Sequence, residues 1–221
     1  METSIQKKRV FIVDDHPLVR EWLTNLINQQ PDLVVCGEAS TSPEAMQAIA
    51  STNPSVAIVD ISLRDSSGIE LIKNLKLVQP DLAVLVLSMH DETVYAQRAL
   101  RAGAKGYIMK RETTKKVIEA IRRVLEGKLY VSETVADTIF SQFAEGKTLP
   151  PSSPVELLSD RELVVFDLLG QGLGTRAIAE RLRVSIKTVQ AYCGRIKEKL
   201  NLGSATDLLR EAMRHNEAKQ Q

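Results

Sequence analysis

Cysteine is nearly absent from this 221-residue chain: Cys36 and Cys193 stand far apart, with no CxxC spacing. That argues against a disulfide framework or a zinc site and fits a reducing, cytoplasmic compartment. Histidine is equally sparse, and His16, His90 and His215 are too scattered in sequence to suggest a metal site. No run approaches the roughly 20 apolar residues of a membrane span, so no membrane association is expected. The basic Lys7-Lys8-Arg9 is followed by an apolar run that stops at Asp14, without the cleavage pattern of a signal peptide. A large charge excess is missing too: 29 Lys+Arg against 28 Asp+Glu leave +1, which excludes polyelectrolyte character for the whole chain.

What remains is an ordinary globular composition, 43% hydrophobic and 26% charged, long enough for two domains. Apolar β-like runs at Arg9–Val13, Leu33–Cys36, Val56–Val59, Ala83–Leu87 and Gly106–Met109 lack alternation, as strands buried on both faces do. Helical patterns separate or follow them near Pro17–Asn28, Pro43–Ala50, Gly68–Val78, Glu92–Ala102 and Thr114–Glu126. Ser42-Pro43 reads as an N-cap followed by proline at the first helical position. The alternation predicts an α/β doubly wound, five-stranded parallel sheet over residues 1–130. A connector helix near Ser132–Ala144 and a linker rich in proline and serine, Gly146–Pro154, then fill 131–154.

After the linker the strand signals vanish. Ser159-Asp160-Arg161-Glu162 is a capping box opening a helix to about Leu169, broken by Gly170, Gly172 and Gly174. Thr175 can cap a short helix to about Leu182, Ser185 a longer one from Ile186 to Leu200, and Ser204 a last one. A small all-α four-helix domain is therefore expected over 155–216, with a polar, fraying tail from His215 on, residues 217–221 lying outside the domain.

The strand ends carry the chemistry. Ligands of open α/β sheets sit beyond the carboxyl ends of the strands, and Asp14, Asp15, Asp60, Ser88 and Lys110 all fall there. If the first and third strands are neighbours, three carboxylates converge and need a cation; Mg²⁺ suits oxygen donors that leave several waters in place. A lysine and a hydroxyl beside them suit phosphoryl transfer. Each residue alone is as well explained by a loop, a cap or a surface charge; the joint placement at four strand ends carries the signal.

Those segments, Phe11-Ile12-Val13-Asp14-Asp15-His16, Val59-Asp60-Ile61, Leu85-Val86-Leu87-Ser88 and Ala102–Lys110, resemble the flavodoxin-like receiver domain of two-component response regulators. The resemblance implies that Asp60 accepts a phosphoryl group from a sensor histidine kinase. It further implies that Asp15 binds Mg²⁺ directly, Asp14 through water, and the Ser62 backbone carbonyl as a further ligand beside Asp60. Ser88 would donate to the phosphoryl oxygen, Lys110 would pair with it, and Tyr107 matches the aromatic that swings inward in response. Leu63 and Arg64 replace a common Met-Pro, which puts a charge near the pocket mouth, and Arg111 stands where some receivers carry proline after the lysine.

From Arg176 to Lys199 seven basic residues face two acidic ones. This is either a nucleic-acid footprint or a solvated helix face. The helix from Thr175, the turn at Arg183–Ser185 and the helix from Ile186 have helix-turn-helix proportions, with Ile178, Ala179, Leu182, Val184, Val189 and Ile196 as the inner face. A four-helix adaptor that never meets DNA has the same pattern. The stretches Leu158–Glu162, Ile178–Leu182, Val184-Ser185, Lys187-Thr188-Val189 and Ile196–Leu200 closely resemble a LuxR-type DNA-binding domain, and with the receiver they point to the NarL/FixJ group. By position in that family, Gln190, Ala191 and Gly194 would read bases, while Lys187, Thr188, Arg195 and Lys197 would contact phosphates. Gly194 costs a helix about 1 kcal/mol against alanine.

The expectation is a transcription regulator that is not an enzyme beyond its own phosphorylation and the hydrolysis of the phosphoaspartate. Its partners would be a kinase, double-stranded promoter DNA and a second copy when phosphorylated or DNA-bound, through Leu208, Leu209 and Met213. Two other readings compete: an Mg²⁺-dependent phosphohydrolase, against which Ser62 stands where many such enzymes carry aspartate, and a protein-interaction module.

Overall fold

A computed structural model describes residues 6–63, 66–144 and 154–218, and it divides into two compact units, residues 1–146 and 147–221. Arg64 and the linker 146–153 lie outside the described residues. In the first unit, β1 (Lys8–Val13), β2 (Leu33–Ala39), β3 (Val56–Val59), β4 (Ala83–Ser88) and β5 (Gly106–Met109) form one parallel sheet in the order β2-β1-β3-β4-β5. Between and after them run α1 (Pro17–Asn28), α2 (Ser42–Thr52), α3 (Gly68–Val78), α4 (Glu92–Arg101) and α5 (Thr114–Leu125). The buried stretches of the central strands, Val10–Val13, Val56–Val59 and Val84–Leu87, are apolar at every position because both faces are covered. Val10, Ile12, Val56, Ile58, Leu85, Leu87 and Ile108 meet Leu23 and Ile27 of α1 and Val117, Ile121 and Val124 of α5 in one buried cluster. The alternate residues, Phe11, Val13, Ala57, Val59, Val84 and Val86, are equally buried, with α2 to α4 on their side of the sheet.

In the first unit two details differ from the sequence reading. The second strand continues past Cys36 to Ala39, because its pairing with β1 resumes after a bulge at Cys36 and runs on from Phe11 opposite Gly37 to Val13 opposite Ala39. The cap of α2 is Thr41, whose hydroxyl accepts from the Glu44 N–H, so Ser42 and Pro43 occupy the first helical turn. Proline is tolerated there because that N–H has no intrahelical acceptor.

The first unit closes with Tyr130, which bridges to the free edge of β5, and α6 (Glu133–Ala144), which packs on α4. The second unit opens on a short 3-10 turn, Pro154–Leu157, followed by α7 (Asp160–Gly170), α8 (Thr175–Leu182), α9 (Ile186–Lys199) and α10 (Ala205–Ala218). The capping box is made in full: Glu162 N–H donates to the Ser159 hydroxyl, and Ser159 N–H donates to Glu162 at 2.8 Å. Gly170 does not break α7. It is the last helical residue, and a Cβ there would overlap the Ala212 carbonyl, so its bareness lets α10 cross closely. Gly174, not Thr175, is the cap residue of α8. The expected fraying from His215 is not observed before Ala218: α10 continues, and the His215 ring lies 5.6 Å from that of Phe166.

Candidate functional site

Because β1 and β3 are neighbours, their carboxyl ends bring the three aspartates together. Asp60 N–H donates to the Val13 carbonyl at 2.8 Å, which fixes Asp60 beside the Asp14-Asp15 turn. Asp14 and Asp60 are buried at 2% and 3% exposure, and such carboxylates need a counter-charge. The counter-charge is Lys110, one residue beyond β5, whose Nζ sits 2.6 Å from Asp14 Oδ2 and 2.9 Å from Asp60 Oδ2. Burial drives the Asp60 carboxyl above its ordinary range; Lys110 opposes that shift and Asp14 adds to it. Burial works against the Lys110 ammonium, yet the Asp60 and Asp14 charges hold it above its usual value. A carboxylate so poised is stabilised by any added cation.

Ser88 ends β4 fully buried, and its hydroxyl accepts from the His90 N–H at 3.2 Å. Tyr107 on β5 is also buried, at 1% exposure, and donates its hydroxyl to the His90 carbonyl at 2.8 Å. The expected inward aromatic is thus already inward. Burial raises the Tyr107 hydroxyl far above a free phenol, so it stays a donor. Ser62 lies in the loop after β3, with its hydroxyl 2.6 Å from His90 Nε2. Gly68, at the start of α3, presses on the Asp60 main chain: a Cβ there would overlap the Asp60 carbonyl.

The histidines correct the sequence reading. His16 Nδ1 lies 2.7 Å from Asp15 Oδ1 and 3.2 Å from Asp14 Oδ1, and ligand atoms of Asp14, Asp15, His16 and Asp60 all lie within 4.8 Å of one another. His90 touches Ser62, Ser88 and Tyr107, and its ring is 4.6 Å from that of Tyr95. Residues remote in sequence meet because each follows a different strand of the same sheet edge. The carboxylate-rich donor set fits a hard divalent cation such as Mg²⁺.

In the second unit, α8 and α9 form the expected helix pair. Ile178, Ala179, Leu182, Val189 and Ile196 are buried, while Val184 is only half-buried. Ser185 caps α9 by accepting from the Thr188 N–H at 3.0 Å. Lys187, Gln190, Ala191 and Arg195 are exposed; Thr188, Gly194 and Lys197 are intermediate. Gln190, Gly194 and Lys197 line a cavity of about 250 Å³ with Leu208 and Leu209 of α10, so they share one side of the helix. Arg195 is less free than predicted: its Nε lies 3.1 Å from Glu162 Oε1, and its guanidinium lies 4.8 Å from the Tyr192 ring centre. Lys199 binds the other Glu162 oxygen at 2.6 Å. Of the apolar stripe on α10, Leu208 and Ala212 are core, whereas Leu209 and Met213 are 39% and 43% exposed.

Two family models match the chain: the response regulator receiver domain over residues 10–122, and the bacterial regulatory proteins of the luxR family over 156–212. The chain belongs to the NarL/FixJ group of two-component response regulators. It is a DNA-binding response regulator built of a receiver and a LuxR-type domain. The oxygen regulatory protein NreC of Staphylococcus carnosus is 35% identical over 211 residues, covering 93% of this chain and 97% of that one. Among solved structures, RcsB of Salmonella enterica serovar Typhimurium, bound to promoter rprA with phosphomimetic BeF3⁻, is similar at 25% identity. Its TM-score is 0.60, over 93% of this chain and 98% of that one. A LuxR-family response regulator from Aurantimonas is 30% identical with a TM-score of 0.59, over 63% of this chain and 99% of its own. No helix among the described residues is long and apolar enough to cross a membrane.

Proposed function

We propose that Asp60 is the phosphoryl acceptor of this regulator and that its loading switches DNA binding and transcription. The observation that carries the reading is the Lys110 ammonium bridging two buried carboxylates, Asp60 at 2.9 Å and Asp14 at 2.6 Å. In the proposed reaction an Asp60 oxygen attacks the phosphorus of a sensor kinase's phosphohistidine. A P–O bond forms, the P–N bond breaks, and the imidazole leaves. Asp14, Asp15, Asp60 and the Ser62 carbonyl would hold Mg²⁺, which supplies charge neutralisation when bound. Lys110 pairs with the phosphoryl oxygens, and the Ser88 hydroxyl turns to donate to them. Tyr107 retains the β4–α4 loop through His90.

The output is α9 lying in a major groove, in residues 155–216 as the DNA-binding domain, whose last helix runs on to Ala218, with 131–154 connecting it to a receiver over 1–130. Gln190, Ala191 and Gly194 face bases, and a glutamine can pair with adenine in bidentate fashion. Lys187, Thr188, Arg195 and Lys197 meet phosphates. A second copy pairs through the exposed Leu209 and Met213 on adjacent half-sites, as expected of a cytoplasmic promoter-binding protein. The promoter complex named for the RcsB neighbour supports the DNA reading.

Acetyl phosphate with Mg²⁺ tests the assignment by intact mass. One phosphoryl adduct is expected on the wild type and none on Asp60→Asn, and an adduct persisting on the variant refutes the acceptor. Duplex binding should fall steeply with salt; no binding at low salt by the loaded protein refutes the output.

A further inference from the structure

The connector after α5 is fixed to the first unit at two places. Tyr130 N–H donates to the Lys105 carbonyl at 3.0 Å, and the Tyr130 carbonyl accepts from Tyr107 N–H at 2.8 Å, so the residue adds itself to the outer edge of β5. Gly106 makes room for it, since a Cβ there would lie 2.8 Å from the Tyr130 carbonyl. Two residues later Ser132 caps α6, accepting from Val135 N–H at 3.3 Å, and α6 packs on α4 with Val135 buried to 2% exposure. One hold is therefore on a strand and the other on a helix.

The acidic pocket is joined to these two elements by different contacts. Tyr107 is part of β5, whose main chain is locked into the sheet. Residue His90, by contrast, sits in the loop that leads into α4, one residue before the Asp91 side chain that caps it. His90 is tied to Ser88 by its N–H, to Tyr107 by its carbonyl and to Tyr95 of α4 by its ring. A phosphoryl group that draws the Ser88 hydroxyl toward Asp60 would pull on the His90 N–H bonded to it, in the loop that leads into α4, whereas the β5 main chain is held by its ladder to β4.

We infer that the connector is a split latch: Tyr130 stays paired with β5 as a hinge while displacement of α4 releases α6, and the released helix carries the signal toward the DNA-binding unit. The inference rests on Asp60 being the phosphoryl acceptor. It gives α6 a defined task and makes Val135 its positioning residue.

Hydrogen–deuterium exchange of the full chain, with and without Mg²⁺ and beryllofluoride, tests it. In the loaded protein, amides over 133–144 should exchange about threefold faster or more, while 128–131 stays unchanged. Native mass spectrometry reports whether the adduct is present and whether Asp60→Asn lacks it. Adduct present with unchanged exchange over 133–144, or with 128–131 loosening in step, overturns the latch. Absence of any adduct instead sinks the phosphoryl-acceptor reading. The latch is then still decided by Val135→Ala, a mild truncation, which must speed exchange over 133–144 and tighten duplex binding by the unloaded chain. Faster exchange with unaltered duplex binding would also overturn it.

Discussion

Glu162 joins two tasks that the DNA-binding unit needs, and replacing it by glutamine should separate them. Its carboxylate closes the capping box of α7 and binds Arg195 and Lys199 of α9 at 3.1 and 2.6 Å, with only 3% of the side chain exposed. Burial works to raise this carboxyl, but the Lys199 ammonium and the Ser159 N–H and hydroxyl overcome it and bring it to about 2, from 4.5. At about 1.4 kcal/mol for each pH unit, the ceiling on its contribution is roughly 3 kcal/mol. Arg195 and Lys199 keep 50% and 37% of their side chains in solvent, so water recovers part of the loss, and about 2 kcal/mol is the expectation at pH 7. The sign follows from linkage. A folded-state value below the unfolded one stabilises fully above about pH 4.5 and is lost as pH falls through about 2. Glutamine still accepts from Ser159 N–H, so Glu162→Gln removes the charge and spares the cap. Urea titrations of the full chain, followed by NMR amide signals of α9 at pH 7, 4 and 2.5, check this. The gap between wild type and variant should shrink steadily with acid. A gap that stays the same at all three pH values would refute the electrostatic account and leave only packing.

Two further substitutions address the site and the reading helix. Lys110→Met strips the counter-charge from the two buried carboxylates, Asp14 and Asp60. Breaking such a pair costs about 3 kcal/mol. Urea denaturation followed through Trp22 fluorescence should show that loss in chelator, and Mg²⁺ should restore more stability to the variant than to the wild type. Gly194→Ala adds a Cβ that meets nothing within 4 Å. It should stabilise the second unit by about 1 kcal/mol in calorimetry while changing the preferred base beside Gln190 in a binding-site selection.

Much of the site was legible because strands buried on both faces end abruptly. Val59 to Asp60, Leu87 to Ser88 and Met109 to Lys110 each change from apolar to polar in one step, and one sheet edge gathers all three. Loop partners were not legible. His90 enters the site only because the short loop after β4 turns back over Ser62, a geometry that no local pattern encodes. The cap of α2 lies one residue before the sequence signal for a related reason: Thr41 and Ser42 are both competent caps, and Pro43 is compatible with either. Gly170 spells a breaker in sequence because a glycine near a helix end looks the same whether it ends the helix or admits a neighbour.

Glu162 shows what such omissions do to a functional reading. In sequence it completes a capping box, and nothing there says that it is also buried. Once buried it requires cations, and α9 supplies Arg195 and Lys199. Arg176 is engaged as well, 3.5 Å from Glu180 in an exposed pair that phosphate can compete for. The basic excess of this region, seven residues by sequence, is therefore not seven residues free for DNA. Arg181, Arg183, Lys187 and Lys197 form no ion pair among the described residues, and Arg195 meets a phosphate with its charge already shared with Glu162 through Nε. Since the logarithm of affinity falls with salt by about 0.9 for each phosphate neutralised, the slope for one domain should reflect the smaller set. Glu162→Gln should raise that slope by freeing Arg195, even as it weakens the fold that presents it.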